Sequence, residues 1–191
     1  MKKESKNIGI DFDGVIIDHT KTKINFAKKF GVKVLPKQTS NEVLKKIVKE
    51  KDYQKIKKYI YGKGTSEGQK QKGVERCLKK LINLGHKIFV VSRRNSKQSR
   101  KEAIKWLATN FPKIFNPQNI FFVDSDEEKN DICKKLKIEI FLDDKPSVFD
   151  HLKSVKQKFL FNPFKICFDF NKTQIQSVCS WADFFKKINT K

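Results

Sequence analysis

Five short apolar runs, at residues 7–11, 87–92, 120–123, 138–142 and 158–161, alternate with stretches of helical periodicity. This alternation constrains the chain more than any other feature. A strand that is apolar on both faces must be covered on both, and a strand–helix–strand order joins neighbours in parallel. The segment at residues 74–84 puts Val74, Cys77, Leu78, Leu81 and Ile82 on one helical face and stops at Gly85. Further helices are expected over residues 97–109, 127–136 and 147–154. Ser180, with Asp183 three residues on, reads as the N-cap of a last one, against which Trp181 packs. The expected fold is α/β: a Rossmann-like, three-layer parallel sheet. Sites in such sheets form beyond the C-terminal ends of the strands.

Between the first and second runs lies a long Lys-rich segment, residues 21–61. Ile24, Phe26, Ala27 and Phe30, then Val43, Leu44, Ile47 and Val48, show amphipathic helical spacing in two pieces separated by Pro36. Gly62, Gly64 and Gly68 then read as a flexible return.

Two strand ends carry the chemistry. The first run closes in Asp11-Phe12-Asp13-Gly14, and period-two geometry sends both aspartates to the same side. Gly14 lets the chain turn away without a Cβ clash. The run at residues 138–142 leads into Asp143-Asp144. Paired carboxylates at the mouth of a parallel sheet suit a divalent cation and a division of nucleophilic and acid–base roles.

With these aspartates, Ser92 closing the run Phe89-Val90-Val91, and Lys129 ahead of the second acidic pair, the chain resembles the haloacid-dehalogenase-like (HAD) phosphohydrolase superfamily. The four elements occur in order between about residues 7 and 161. Ser92-Arg93-Arg94, the short step from Lys129 to Asp143, and a tail with Phe161-Asn162-Pro163 and Ser180-Trp181 resemble its 5'(3')-deoxyribonucleotidase branch and related bacterial nucleotidases. The resemblance implies Asp11 as nucleophile and Asp13 as general acid and base. It implies Ser92, Arg93 and Lys129 around the phosphate, and Mg²⁺ held by Asp11, Asp13, Asp143 and Asp144. Asp13 would contribute its backbone carbonyl, and the direct ligand between Asp143 and Asp144 stays open. Arg93 and Arg94 fit a phosphate contact and a structural role equally. By the same resemblance, residues 15–73 form a small helical cap, and residues 1–14 with 74–191 form the catalytic core. In that cap Phe26 and Phe30 are expected to pack inward. Tyr53, Tyr59 and Tyr61 suit either packing or a stacking surface for a base. The lysines between Lys45 and Lys58 read as a solvated face.

The implied activity is Mg²⁺-dependent hydrolysis of a small phosphate monoester through an aspartyl-phosphate, with a nucleoside monophosphate as the leading substrate. Sugar phosphates and nucleic-acid 3'-ends are alternatives within the same chemistry. The alternative of another class is a basic nucleic-acid-binding protein on an inactive HAD-like scaffold. Forty-three Lys and Arg against 21 Asp and Glu leave a net charge of +22. Only four of those cations are arginines, a usage that an AT-rich coding sequence can also produce; nucleic-acid readers rely on arginine for bidentate contacts. Either way, a positive field recruits phosphorylated ligands. No apolar stretch reaches the roughly 18–20 residues of a membrane span. The basic opening lacks the apolar core of a secretory signal, and Cys77, Cys133, Cys167 and Cys179 show no metal or disulfide spacing. A cytoplasmic chain with reduced thiols is expected. His19, His86 and His151 show no ligand spacing and read as incidental.

Overall fold

The computed structural model describes residues 4–168 and 175–189. Six parallel strands form the main sheet: β1 (Asn7–Ile10), β4 (Lys87–Arg93), β5 (Ile120–Val123), β6 (Ile140–Asp143), β7 (Gln157–Phe161) and β8 (Ile175–Val178). Their order across the sheet is β5-β4-β1-β6-β7-β8. The chain therefore builds outward from β1 through β4 to β5, then returns to the other side of β1 with β6. The C-terminal ends of β1 and β6 lie at this reversal, where connections leave in opposite directions and a crevice opens.

Gly9 makes the β1–β6 contact possible. A Cβ there would stand 2.5 Å from the Phe141 ring, so only a bare backbone lets Phe141 pack across the central strand. Helices α4 (Val74–Asn83) and α7 (Trp181–Asn189) pack against each other on one side of the sheet, and α5 (Lys97–Asn110) and α6 (Asp126–Lys135) complete the layers. Ile8, Ile10, Val90 and Leu142 join Leu78, Trp106 and Phe184 in the larger core cluster. Val91, Phe141, Cys133 and Leu160 form a second one. Ser180 caps α7 as expected, accepting a hydrogen bond from the Asp183 N–H at 3.1 Å.

The segment after β1 makes a small antiparallel pair, β2 (Ile17–Asp18) with β3 (Gln69–Lys70), which brackets a helical unit. That unit contains α1 (Thr20–Lys28), α2 (Asn41–Ile47) and α3 (Glu50–Ile60) around its own apolar cluster of Ala27, Val34, Leu44, Tyr53, Ile56 and Ile60. The chain's two tryptophans tie down its two connections. The Trp181 indole N–H donates to the Val15 carbonyl and that of Trp106 to the Gly68 carbonyl, both at 3.0 Å.

Several local expectations are corrected. The segment at residues 21–61 forms three helices rather than two pieces, because Val48 and Lys49 are both extended and break the chain between α2 and α3. The glycine-rich return is ordered: residues 63–67 form a short 3₁₀ turn, with Gly64 and Thr65 buried, that feeds β3. Residues 147–154 do not form an α-helix. A 3₁₀ turn over Pro146–Asp150 suffices to bury Val148 and Phe149, and the chain then bends to bring in Leu152 and Val155. Strand β8 escapes pattern reading because its middle residues, Gln176 and Ser177, face solvent at the sheet edge. Among the described residues no helix is long and apolar enough to cross a membrane.

Candidate active site

β1 and β6 end side by side, and the Asp11 N–H donates to the Leu142 carbonyl at 2.9 Å. This register brings the carboxylates of Asp11, Asp143 and Asp144 together, with one oxygen from each within 4.8 Å of the others. Asp11 and Asp143 are buried. Lys129 reaches them from the first turns of α6, and its Nζ donates at 2.8 Å to Asp11 Oδ1 and at 2.8 Å to Asp143 Oδ2. Burial alone would lower the Lys129 pKa, but the two carboxylates raise it, so the ammonium is firmly charged.

One lysine does not neutralise three carboxylates. Burial first, with Asp143 and Asp13 adding repulsion against the pull of Lys129, pushes the Asp11 pKa up to about 7. Burial and the charges of Asp143 and Asp11 likewise hold Asp144 well above the usual carboxylate range. Such a cluster of hard oxygen donors lacks positive charge and suits an oxygen-preferring divalent cation. Gly14 completes it. Its φ is +85°, and a Cβ there would lie 2.2 Å from Asp144 Oδ2, so this glycine supplies both the turn and the room for the third aspartate of the cluster.

Asp13 stands apart from that cluster. Its carboxylate is gripped by Arg94, with Nε donating to Oδ2 at 2.9 Å and Nη2 to Oδ1 at 2.7 Å; His19 Nε2 also donates to Oδ1 at 2.9 Å. Burial would raise the Asp13 pKa, but the Arg94 charge and the hydrogen bonds from His19 and Arg94 outweigh it, leaving the carboxylate well below its usual range. Burial lowers the His19 pKa despite Asp13, so the imidazole is neutral and donates from Nε2. Its Nδ1 has no partner among the described residues.

Ser92 is buried near the end of β4, paired in register with Phe122 of β5. Arg93 points away: its side chain is 43% exposed, and its Nη1 lies 3.4 Å from Asp126. Lys145 shares that carboxylate at 3.1 Å, while its backbone N–H donates to Asp143 Oδ1 at 2.9 Å. The remaining guanidinium nitrogen of Arg94 donates to the Tyr61 carbonyl at 3.2 Å, the Thr65 hydroxyl at 3.2 Å and the Ser99 carbonyl at 2.7 Å. Arg94 thus links Asp13 to the far end of the inserted helical unit.

The sequence reading gives no role to His19 or Lys23 and leaves Arg94 open between a phosphate contact and a structural role. His19 is not incidental, since it holds Asp13. Arg94, not Arg93, is the buried arginine; its only signal was a second arginine after Ser92. Lys23, one lysine among many, donates to the Thr39 carbonyl at 2.9 Å and to Asn41 Oδ1 at 3.0 Å. It lines, with Asp13, Asp144 and His19, a cavity of about 60 Å³. Burial lowers the Lys23 pKa, against an opposing pull from Asp144. Tyr53 is buried in the helical unit, whereas Phe26 and Tyr59 are half-buried with ring centroids 4.5 Å apart.

Comparison with known proteins agrees with this architecture. The family described as 5' nucleotidase, deoxy (pyrimidine), cytosolic type C protein (NT5C) matches residues 5–191. A candidate nucleotidase of Oceanobacillus iheyensis is 29% identical over 115 residues, which are 60% of this chain and 58% of that relative. The match thus spans little more than half of the relative's length. A HAD-superfamily hydrolase of Ehrlichia chaffeensis superposes with a TM-score of 0.61 at 16% identity, covering 100% of this chain and 98% of the other. A magnesium-bound candidate HAD hydrolase of Bacillus subtilis gives 0.63 at 13% identity, over 98% and 100%. At these identities the likeness establishes the fold, which is the HAD α/β fold.

Proposed function

Since the chain belongs to the NT5C family, we propose that it hydrolyses the phosphate monoester of a nucleotide, with Asp11 as nucleophile and Asp13 as acid–base partner. The observation that carries this reading is the convergence of Asp11, Asp143, Asp144 and Lys129 at the reversal point of the sheet. A scaffold kept only for binding has no physical use for three carboxylates forced together, two of them with pKa values raised by that crowding.

Asp11, Asp143 and Asp144 would hold Mg²⁺. When bound, the ion supplies the charge neutralisation that lets a carboxylate approach a phosphate dianion. The Asp11 oxygen attacks phosphorus, the bond to the leaving oxygen breaks, and an aspartyl-phosphate forms. Lys129 orients Asp11 and offsets charge in the transition state. Ser92, near the end of the neighbouring strand β4, donates its hydroxyl to a phosphoryl oxygen. Asp13 protonates the leaving oxygen and then takes a proton from the water that cleaves the intermediate. Its pairing with Arg94 and His19 favours the ionised form, which serves the second half-reaction and opposes the first. Arg93, exposed and tied to Asp126, acts at the rim rather than on the transferring group. Residues 15–73 serve as the cap, whose Tyr61 and Lys23 face the acid–base side of the site.

The test is phosphate release from nucleoside monophosphates, sugar phosphates and an aryl phosphate, with and without Mg²⁺. Metal-dependent release that ranks nucleotides first supports the reading. Release that ranks sugar phosphates first reassigns the substrate, and no release from any ester overturns the enzyme reading.

A further inference from the structure

A groove of about 960 Å³ opens beside the site, between α3 of the cap and the loop after β4. That volume stands at the upper end of the range for small-molecule pockets, about 300–1,000 Å³. Eight of the 20 residues lining it are Lys or Arg and one is acidic, against 43 and 21 of 191 in the whole chain. The groove is therefore more basic than the composition alone produces.

The cations differ in their freedom. Lys45 is engaged by Glu42, and Lys55 by Asp52. At the mouth next to Asp143, Arg93 and Lys145 share the single carboxylate of Asp126 and keep a surplus positive charge. Lys57, Lys58 and Lys63 pair with no carboxylate among the described residues. Lys57 Nζ lies 5.8 Å from the Tyr53 ring centre and Lys63 Nζ 5.9 Å from that of Tyr59. Lys57 and Lys58 belong to the stretch expected to form a solvated face, and with Lys63 they line the groove beside Tyr53 and Tyr59.

We propose that this groove holds the nucleotides behind the scissile phosphate, so that the substrate is a short single-stranded oligonucleotide ending in a phosphomonoester. This rests on the reading of Asp11 as a nucleotide phosphatase site and specifies its substrate. A mononucleotide leaves Lys57, Lys58 and Lys63 with no phosphate to meet them. A chain of phosphates running from the Arg93–Lys145 mouth along that wall meets them in turn, and its bases pack against the solvent-facing parts of Tyr59 and Phe26, which are half-buried at the groove. Unpaired cations interleaved with rings are the composition of a sequence-tolerant single-strand groove.

The test compares thymidine monophosphates carrying the phosphate at 3' or 5' with the matching phosphorylated tetranucleotides, on the full chain with Mg²⁺. The expected kcat/KM for a tetranucleotide at 50 mM salt is at least about tenfold above that of its mononucleotide. Three phosphate contacts at a log–log salt slope of about 0.7 each give a loss of about 20-fold between 50 and 200 mM salt. Replacing Lys57, Lys58 and Lys63 together by Gln brings the tetranucleotide-to-mononucleotide ratio near one and flattens the salt dependence. An oligonucleotide turned over no better than a mononucleotide, or a ratio unchanged by the triple variant, overturns the proposal. Fluorescence anisotropy of a labelled tetranucleotide on Asp11→Asn separates the two readings. If no ester is cleaved but salt-dependent binding is lost in the triple variant, the phosphatase reading fails and the groove assignment stands; no binding at micromolar concentrations overturns the groove.

Discussion

Arg94 holds Asp13 through both edges of its guanidinium, at 2.9 and 2.7 Å, while its third nitrogen bonds the Tyr61 carbonyl and Thr65. One buried side chain therefore joins Asp13, the proposed acid–base residue, to the chain leaving α3 in the inserted helical unit. Arg94→Met leaves Asp13 without its counter-ion, and removing one member of a buried pair costs about 3–5 kcal/mol. Urea unfolding should register that loss. Arg94→Lys keeps the charge but not the two-pronged geometry. It should recover part of the stability while kcat stays depressed, which separates orientation of Asp13 from mere neutralisation.

Lys129 lies between Asp11 and Asp143, at 2.8 Å from each. Lys129→Met leaves three crowded carboxylates with no cation in contact, and a loss of about 3–5 kcal/mol is expected in metal-free buffer. With Mg²⁺ held by the same carboxylates, as proposed, millimolar Mg²⁺ should raise the variant's melting temperature more than the native chain's. An equal rise in both would show that Lys129 and the metal do not serve one cluster.

Gly14→Ala tests the packing of the second acidic pair. The backbone there is left-handed, which costs a residue with a Cβ about 1–2 kcal/mol, and the new carbon would lie 2.2 Å from Asp144 Oδ2. Asp144 must move. The expected result is a raised Mg²⁺ requirement for activity, read as a shift in the metal titration midpoint, with a folded circular dichroism spectrum.

The thiols should divide into two classes. Cys77 and Cys133 are buried, and desolvation pushes their pKa values up to about 12. At pH 9 only about one in a thousand of each is thiolate. Iodoacetamide followed by mass spectrometry should modify the exposed Cys167 and Cys179 and spare the other two until denaturant is added.

The central strands were legible because they are short, apolar and bounded by turn residues. Asp11, Asp143 and Asp144 stood out because they end such runs, whereas Lys129, inside α6, was marked only by the family resemblance. What escaped reading depended on contacts distant in the chain. Arg94 and Asp13 are 81 residues apart, and nothing local separates Arg94 from Arg93. His19 gains its role only when β2 turns it back onto Asp13. Strand β8 takes its identity from pairing with β7 rather than from its own pattern. The short 3₁₀ turn at Pro146–Asp150 shows the same limit: the apolar spacing permits a helix, but burying Val148 and Phe149 requires less.

The most direct measurement is an acid-quenched single turnover with a ³²P-labelled nucleotide and Mg²⁺, followed by peptide mapping. Label is expected on the peptide containing Asp11, released by hydroxylamine and absent from Asp11→Asn, which also ceases to turn over. Turnover without a labelled intermediate, with activity retained in Asp11→Asn, would contradict it.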